Sequence, residues 1–168
     1  KTKKLKSRFI RCLCTAFALI LCIQSFGGFA SASNTVTFSE EETAFINAVE
    51  GSASAGKINH WGAWNNAVSL QSQGNYQGAI AGYRKAAPYF KKEGSTNMAL
   101  LFQHLGECYV ALSDYRNGAI CYKRSSYYWS LVQGQEETAR YYNNIAKSLE
   151  TDVRLYLKTT DARFNKTK

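Results

Sequence analysis

Histidine, cysteine and long apolar runs are scarce in this chain, and each scarcity excludes something. His60 and His104 are the only histidines. There is no glycine-rich phosphate loop, and spacing assembles no serine, histidine and aspartate set, so no catalytic constellation is expected. Of the five cysteines, Cys12, Cys14 and Cys22 fall in the first 32 residues and only Cys108 and Cys121 lie beyond. Two cysteines do not make a disulfide framework, so stability must come from a packed core. Neither belongs to a Cys-x-x-Cys or Cys/His ligand pattern, so no metal or other cofactor is expected. A bilayer-spanning helix needs about 20 apolar residues. The apolar run from Cys12 to Ile23 holds twelve residues, with Thr15 polar among them.

Acids are absent from residues 1–32, which carry Lys1, Lys3, Lys4, Lys6, Arg8 and Arg11. The formal charge of +9 is therefore concentrated at one end. Without those six, 15 basic residues face 12 acidic ones, a net of +3. The body has an ordinary balance and implies no nucleic-acid partner.

That basic end has its own physical meaning. The cationic flank is followed by the short apolar core, then Gly27, Gly28 and the small-residue stretch in which Ala30-Ser31-Ala32 fits a small-x-small cleavage site. Together they describe a secretory signal peptide over residues 1–32. Leu21 precedes Cys22 where a lipidated leader would place a small residue. Cleavage would leave an extracytoplasmic chain, secreted or periplasmic, with no membrane span.

The body repeats itself. At an offset of 39, Ala67 aligns with Gly106, Leu70 with Tyr109, Gly74 with Ser113, Tyr76 with Tyr115, Ala79 with Gly118, Tyr83 with Tyr122 and Ala86 with Ser125. Small residues fall on small ones, and large apolar or aromatic residues fall on each other. A partial third copy places Tyr142, Ile145, Ala146 and Leu149 under Phe102, Leu105, Gly106 and Tyr109. A fixed period in this range marks a repeat architecture. Residues three and four apart share a helix face, so Phe102, Leu105, Gly106 and Tyr109 form one stripe and Gly118, Tyr122 and Ser125 another. The small members let two helix backbones approach. Gly74 and Ser113 fall where tight helix–helix turns belong, and Gly74 can take positive φ there.

The stretch Phe102-x-x-Leu105-Gly106-x-x-Tyr109, with Tyr115 after the turn, resembles the tetratricopeptide repeat family. Gly118 and Ser125 stand in place of the family's alanines, Asn66 occupies the first copy's leucine position, and Trp64 is one place off the usual tryptophan. The period is longer than the family's usual value of about 34 and is similar to that of the long-repeat branch typified by kinesin light chains. The resemblance covers residues 60–150. It implies an all-α fold: a short α-solenoid of antiparallel helix pairs, with about two repeats, a leading helix and a long C-terminal capping helix.

The expected organisation is a leading helix and loop over 33–58, repeats over 59–94 and 95–134, a capping helix over 135–159 and a polar tail over 160–168. Ser39 and Glu42 stand at capping-box spacing, and Glu40 to Glu42 suit the positive end of the helix they open. Helices are expected at 59–73, 76–92, 96–112 and 115–132, with Pro88 kinking or ending the second of these. Cys108 lies two residues past Gly106, nearly on the opposite face from the helix partner, which favours two buried thiols over a bridge. The aromatic stretches Ala87 to Phe90 and Ser125 to Ser130 suit inter-helix core.

In the family the first helix of each repeat lines a concave groove that contacts peptides. Carried over by position, the residues before the Leu-Gly leucine are Asn65, His104 and Asn144, and those one place earlier are Trp64, Gln103 and Asn143. Neighbouring groove positions are Trp61, Val68, Leu100, Glu107, Val110, Arg140 and Lys147. A carboxamide offers both donor and acceptor to a peptide backbone. Apolar anchors at one end, with Arg140 and Lys147 at the other, would suit an extended peptide with an acidic end. The resemblance thus implies a protein-interaction scaffold without enzyme activity. A second reading is the N-terminal interaction region of a larger secreted enzyme, such as a caspase-like protease.

Overall fold

A computed structural model describes residues 36–51 and 58–164. The expected leader, all but the first residue of the loop Gly51 to Lys57, and the last four residues lie outside the described residues. Six α-helices and no strand occur among the described residues: α1 Glu40–Glu50, α2 His60–Ser72, α3 Tyr76–Glu93, α4 Ser95–Ala111, α5 Tyr115–Ser130 and α6 Glu136–Phe164.

Local chemistry sets the helix starts. The Ser39 hydroxyl accepts from the Glu42 N–H at 3.2 Å, and the Glu42 carboxylate accepts from the Ser39 N–H at 2.7 Å, completing the expected capping box. Asn59, Asn75 and Asp114 accept in the same way from the N–H groups of Gly62, Gly78 and Asn117. The 39-residue period also governs the turns. Asn75 N–H donates to the Leu70 carbonyl at 2.9 Å, and Asp114 N–H donates to the Tyr109 carbonyl at 2.8 Å. Gly74 N–H donates to Gln71, and Ser113 N–H to Val110. Gly74 (φ +80°) and Ser113 (φ +61°) occupy the same left-handed position. The aligned side chains differ, yet the backbone takes the same path.

From α2 onward each helix packs on the next, α2 on α3, α3 on α4, α4 on α5 and α5 on α6. This is a short all-α solenoid of antiparallel helix pairs, closed by the long α6. Tyr83, Phe90, Met98, Leu101, Phe102 and Leu105 form its fully buried centre, each contributing roughly 1.5–3 kcal/mol relative to exposure. The small positions permit the close crossings. A Cβ on Gly118 would stand 2.8 Å from Val110 Cγ2. One on Gly82 would stand 2.8 Å from Ala67 Cβ and 3.2 Å from the Ala63 carbonyl oxygen. Ser125 is fully buried and donates to the Ala99 carbonyl of α4 at 2.9 Å. In the aromatic stretches Ala87, Phe90 and Tyr128 are buried, and Tyr127 and Trp129 pack against the core.

The leading helix does not stack on its neighbour in sequence. It lies across α3 and α5, the second helices of the two pairs, with Ile46, Val49 and Glu50 buried.

Of the two outcomes open at Pro88, a helix end does not occur: α3 continues to Glu93, close to its expected span over 76–92. Proline removes one backbone donor from a helix, but Ala86, Ala87 and Phe90 are buried around it and hold the segment in place. The tail does not begin at residue 160, because α6 runs to Phe164. Residues 160–164 contain neither glycine nor proline to stop the helix. Cys108 and Cys121 are both buried and unbridged. Burial pushes the Cys108 thiol up to about 12, so it is a packing group with little thiolate character.

Candidate functional site

The first helices carry a connected polar and aromatic surface. On α2, Trp64 and Gln71 are seven residues apart and so share a face. On α4, Gln103, His104 and Glu107 occupy adjoining turns. Gln71 links the two helices. Its Nε2–H donates to Glu107 Oε2 at 2.8 Å, while its Oε1 accepts from the Tyr83 hydroxyl of α3. Gln103 Nε2–H donates to Glu107 Oε1 at 3.1 Å. His104 Nδ1 lies 3.1 Å from Gln71 Oε1 and 3.4 Å from Glu107 Oε2. Both of those atoms are acceptors, so Nδ1 carries the hydrogen. The His104 ring packs edge-on against Trp64 at 5.1 Å and stacks on Tyr83 at 5.4 Å.

Burial alone would raise the Glu107 carboxyl. Hydrogen bonds from His104 and Gln103, the electrostatic attraction of the His104 ring and the Gln71 carboxamide together outweigh it, and the net displacement is downward. Glu107 is thus anionic at neutral pH, with its side chain 38% exposed. Its charge reaches Tyr122 and Tyr142, whose phenols are raised first by burial and then by this neighbouring anion, and Tyr83, raised by burial, by Cys108 and then by Glu107. Tyr122 of α5 stacks on Tyr142 of α6 at 5.8 Å, which brings α6 into the same neighbourhood.

Of the residues expected in the groove, the structure brings together Trp64, Gln103, His104 and Glu107. Asn65 and Asn144 are exposed on α2 and α6, and neither joins the cluster. Asn143 is half-buried and Lys147 exposed, both on α6. Arg140 is exposed and pairs with Glu137. Trp61 is 46% exposed and packs on Phe90 at 4.8 Å. Gln71 was missed, although its spacing from Trp64 was a signal that could have found it.

A second charged cluster lies under α1. Glu50, 2% exposed, accepts from Arg124 Nε at 2.7 Å and from the Tyr128 hydroxyl at 2.9 Å, and Lys91 Nζ stands 2.8 Å from its other oxygen. Burial raises this carboxyl, but Lys91, Arg124 and Tyr128 overcome the effect and hold it low. The first-turn acids also do more than suit the helix end. Glu42 receives both of its 2.9 Å contacts from Lys123, and Glu41 pairs with Arg116. Beside them, an open recess of about 770 Å³ is lined by Phe38, Ile120 and Val153 together with Arg116, Lys123 and Arg154.

Among the described residues, no three histidine, cysteine or acidic side chains gather as a metal site. None of the described helices is long and apolar enough to cross a membrane. Compared with known protein families, curated proteins and solved structures, the chain matches none.

Proposed function

We propose that this chain is a tetratricopeptide-like interaction module, exported behind residues 1–32, that holds a partner protein or an extended peptide along the face of its first helices and performs no catalysis. The observation that carries the reading is the joining of α2 and α4 by Trp64, Gln71, Gln103, His104 and Glu107 into one half-exposed surface. Such a surface combines aromatic area with oriented donors and acceptors, the mixture found at the anchor points of protein interfaces. Asn65 and Asn144, outside this cluster on α2 and α6, carry exposed carboxamides that form no side-chain bond within the described residues and can meet a peptide main chain.

The test is direct. The immobilised chain is exposed to envelope and secreted extracts beside an Asn65→Ala/Asn144→Ala variant whose helicity is checked by circular dichroism. A partner held by the parent and lost from the folded variant supports the reading. A partner held equally by both moves the interaction to another face.

A further inference from the structure

We infer that Glu107 reads a lysine or arginine side chain of an extended segment bound along α2 and α4. This rests on the interaction reading above and reverses the ligand charge expected from Arg140 and Lys147. Three observations converge on it. First, the short bonds to the Glu107 carboxylate come from the neutral carboxamides Gln71 and Gln103, and among the described residues no lysine or arginine pairs with it. Its negative charge is oriented, and the basic ring beside it, His104, stands at 3.4 Å and leaves the other oxygen to Gln103 alone. Second, the Glu107 side chain is 38% exposed. Each oxygen accepts one short bond and keeps capacity for a further donor. Third, the surroundings are aromatic. Half-buried Trp64 packs edge-on against His104, whose Nδ1 lies 3.4 Å from Glu107 Oε2, and Tyr83 stacks on the same ring from within the core.

A fixed, part-exposed carboxylate that no lysine or arginine neutralises attracts a cationic side chain. The carboxylate supplies a charge-assisted hydrogen bond, and half-buried Trp64 offers apolar area to the stem of the side chain. Acidic ligands are repelled at the same point. Arg140 does not restore an acidic preference, since Glu137 already engages its guanidinium.

The full chain would be probed with an array of random 12-residue peptides, beside Glu107→Gln, Glu107→Lys and, as a control for non-specific charge, Asp152→Asn, an exposed acid of α6. The expected result is that bound peptides are enriched in lysine or arginine. Replacing that residue with norleucine or citrulline should weaken binding by about tenfold. Glu107→Gln should erase the preference, Glu107→Lys should turn it toward aspartate and glutamate, and Asp152→Asn should leave it intact. Binding that is lost from Asn65→Ala/Asn144→Ala but shows no cationic preference would overturn this inference and leave the interaction reading standing. So would a preference that survives in a folded Glu107→Gln variant. The absence of any bound peptide would overturn both.

Discussion

Glu50 and Glu107 are both carboxylates lodged between helices and held below their ordinary range, yet the two sites are built in opposite ways. Glu50 is 2% exposed and faces Arg124, Lys91 and the Tyr128 hydroxyl. Glu107 is 38% exposed and faces two carboxamides and a histidine. A buried charge is tolerated only when countercharge and hydrogen bonds replace the water it has lost, and Glu50 has both. Glu107 has the hydrogen bonds without a lysine or arginine, and water remains at its open side. The first arrangement fixes α1 across the second helices. The second presents a charge to solvent on the opposite members of the helix pairs. The comparison separates a carboxylate that holds the fold together from one available to a ligand, although both carry lowered pKa values.

The sharpest way to break this comparison is Glu50→Ala. Arg124, 17% exposed, would lose its anion without gaining free access to water, and the Tyr128 hydroxyl would lose its acceptor. Lys91, 52% exposed, can return to solvent. A loss of about 3 kcal/mol is expected, read as a lower urea midpoint in a circular dichroism titration. A loss below about 1 kcal/mol would show that the Arg124 charge finds water, and the distinction between the sites would fall.

Acid should reveal the same difference. Glu42, Glu50 and Glu107 are all lowered from 4.5. In the window below 4.5 the unfolded chain therefore binds more protons than the folded one. The stabilisation from these groups is complete above that value and is lost as pH falls through their folded values. The urea midpoint should decline from about pH 5 downward. Glu50→Ala should flatten the decline more than Glu107→Gln does, because the better compensated carboxylate gains more from being charged in the folded state. Equal flattening would mean that the two carboxylates couple to folding alike.

At neutral pH, Glu107→Gln should change stability by no more than about 1 kcal/mol, since solvent reaches the site and the Gln71 and Gln103 donors can turn toward water. A loss near 3 kcal/mol would assign Glu107 to the fold, alongside Glu50.

The helices were legible because their determinants are local. Ser39 with Glu42, and the turns at Gly74 and Ser113, specify starts and stops within a few residues of chain. Small residues at Gly118 and Ser125 announced the close approach of α5 to α4. Pro88 left two outcomes open, and the helix runs through it because burial of Ala86, Ala87 and Phe90 offsets the local cost. The docking of α1 was illegible because its determinants are not local. Glu50 and Arg124 are 74 residues apart, and charged residues on helices ordinarily face water. The cluster around Glu107 was half legible. Position along the repeat found Gln103, His104 and Glu107, but only the structure shows that Gln71 ties them to α2 and that Asn65 and Asn144 stand outside.

The smallest expected effect provides the control for the whole comparison. Arg116 and Glu41 form a guanidinium–carboxylate contact between α5 and α1, as Arg124 and Glu50 do, but their side chains are 68% and 77% exposed. If pairing alone fixed α1, Arg116→Ala would resemble Glu50→Ala. If burial decides, solvent replaces the lost partner on both sides, and the change should stay within about 0.5 kcal/mol, shrinking further in high salt. The measurement is a pair of urea titrations at low and high sodium chloride for the parent and the variant. A salt-insensitive loss above about 1 kcal/mol would mean that α1 is held by its charged rim. Glu50 would then be one contact among several instead of the point on which α1 depends.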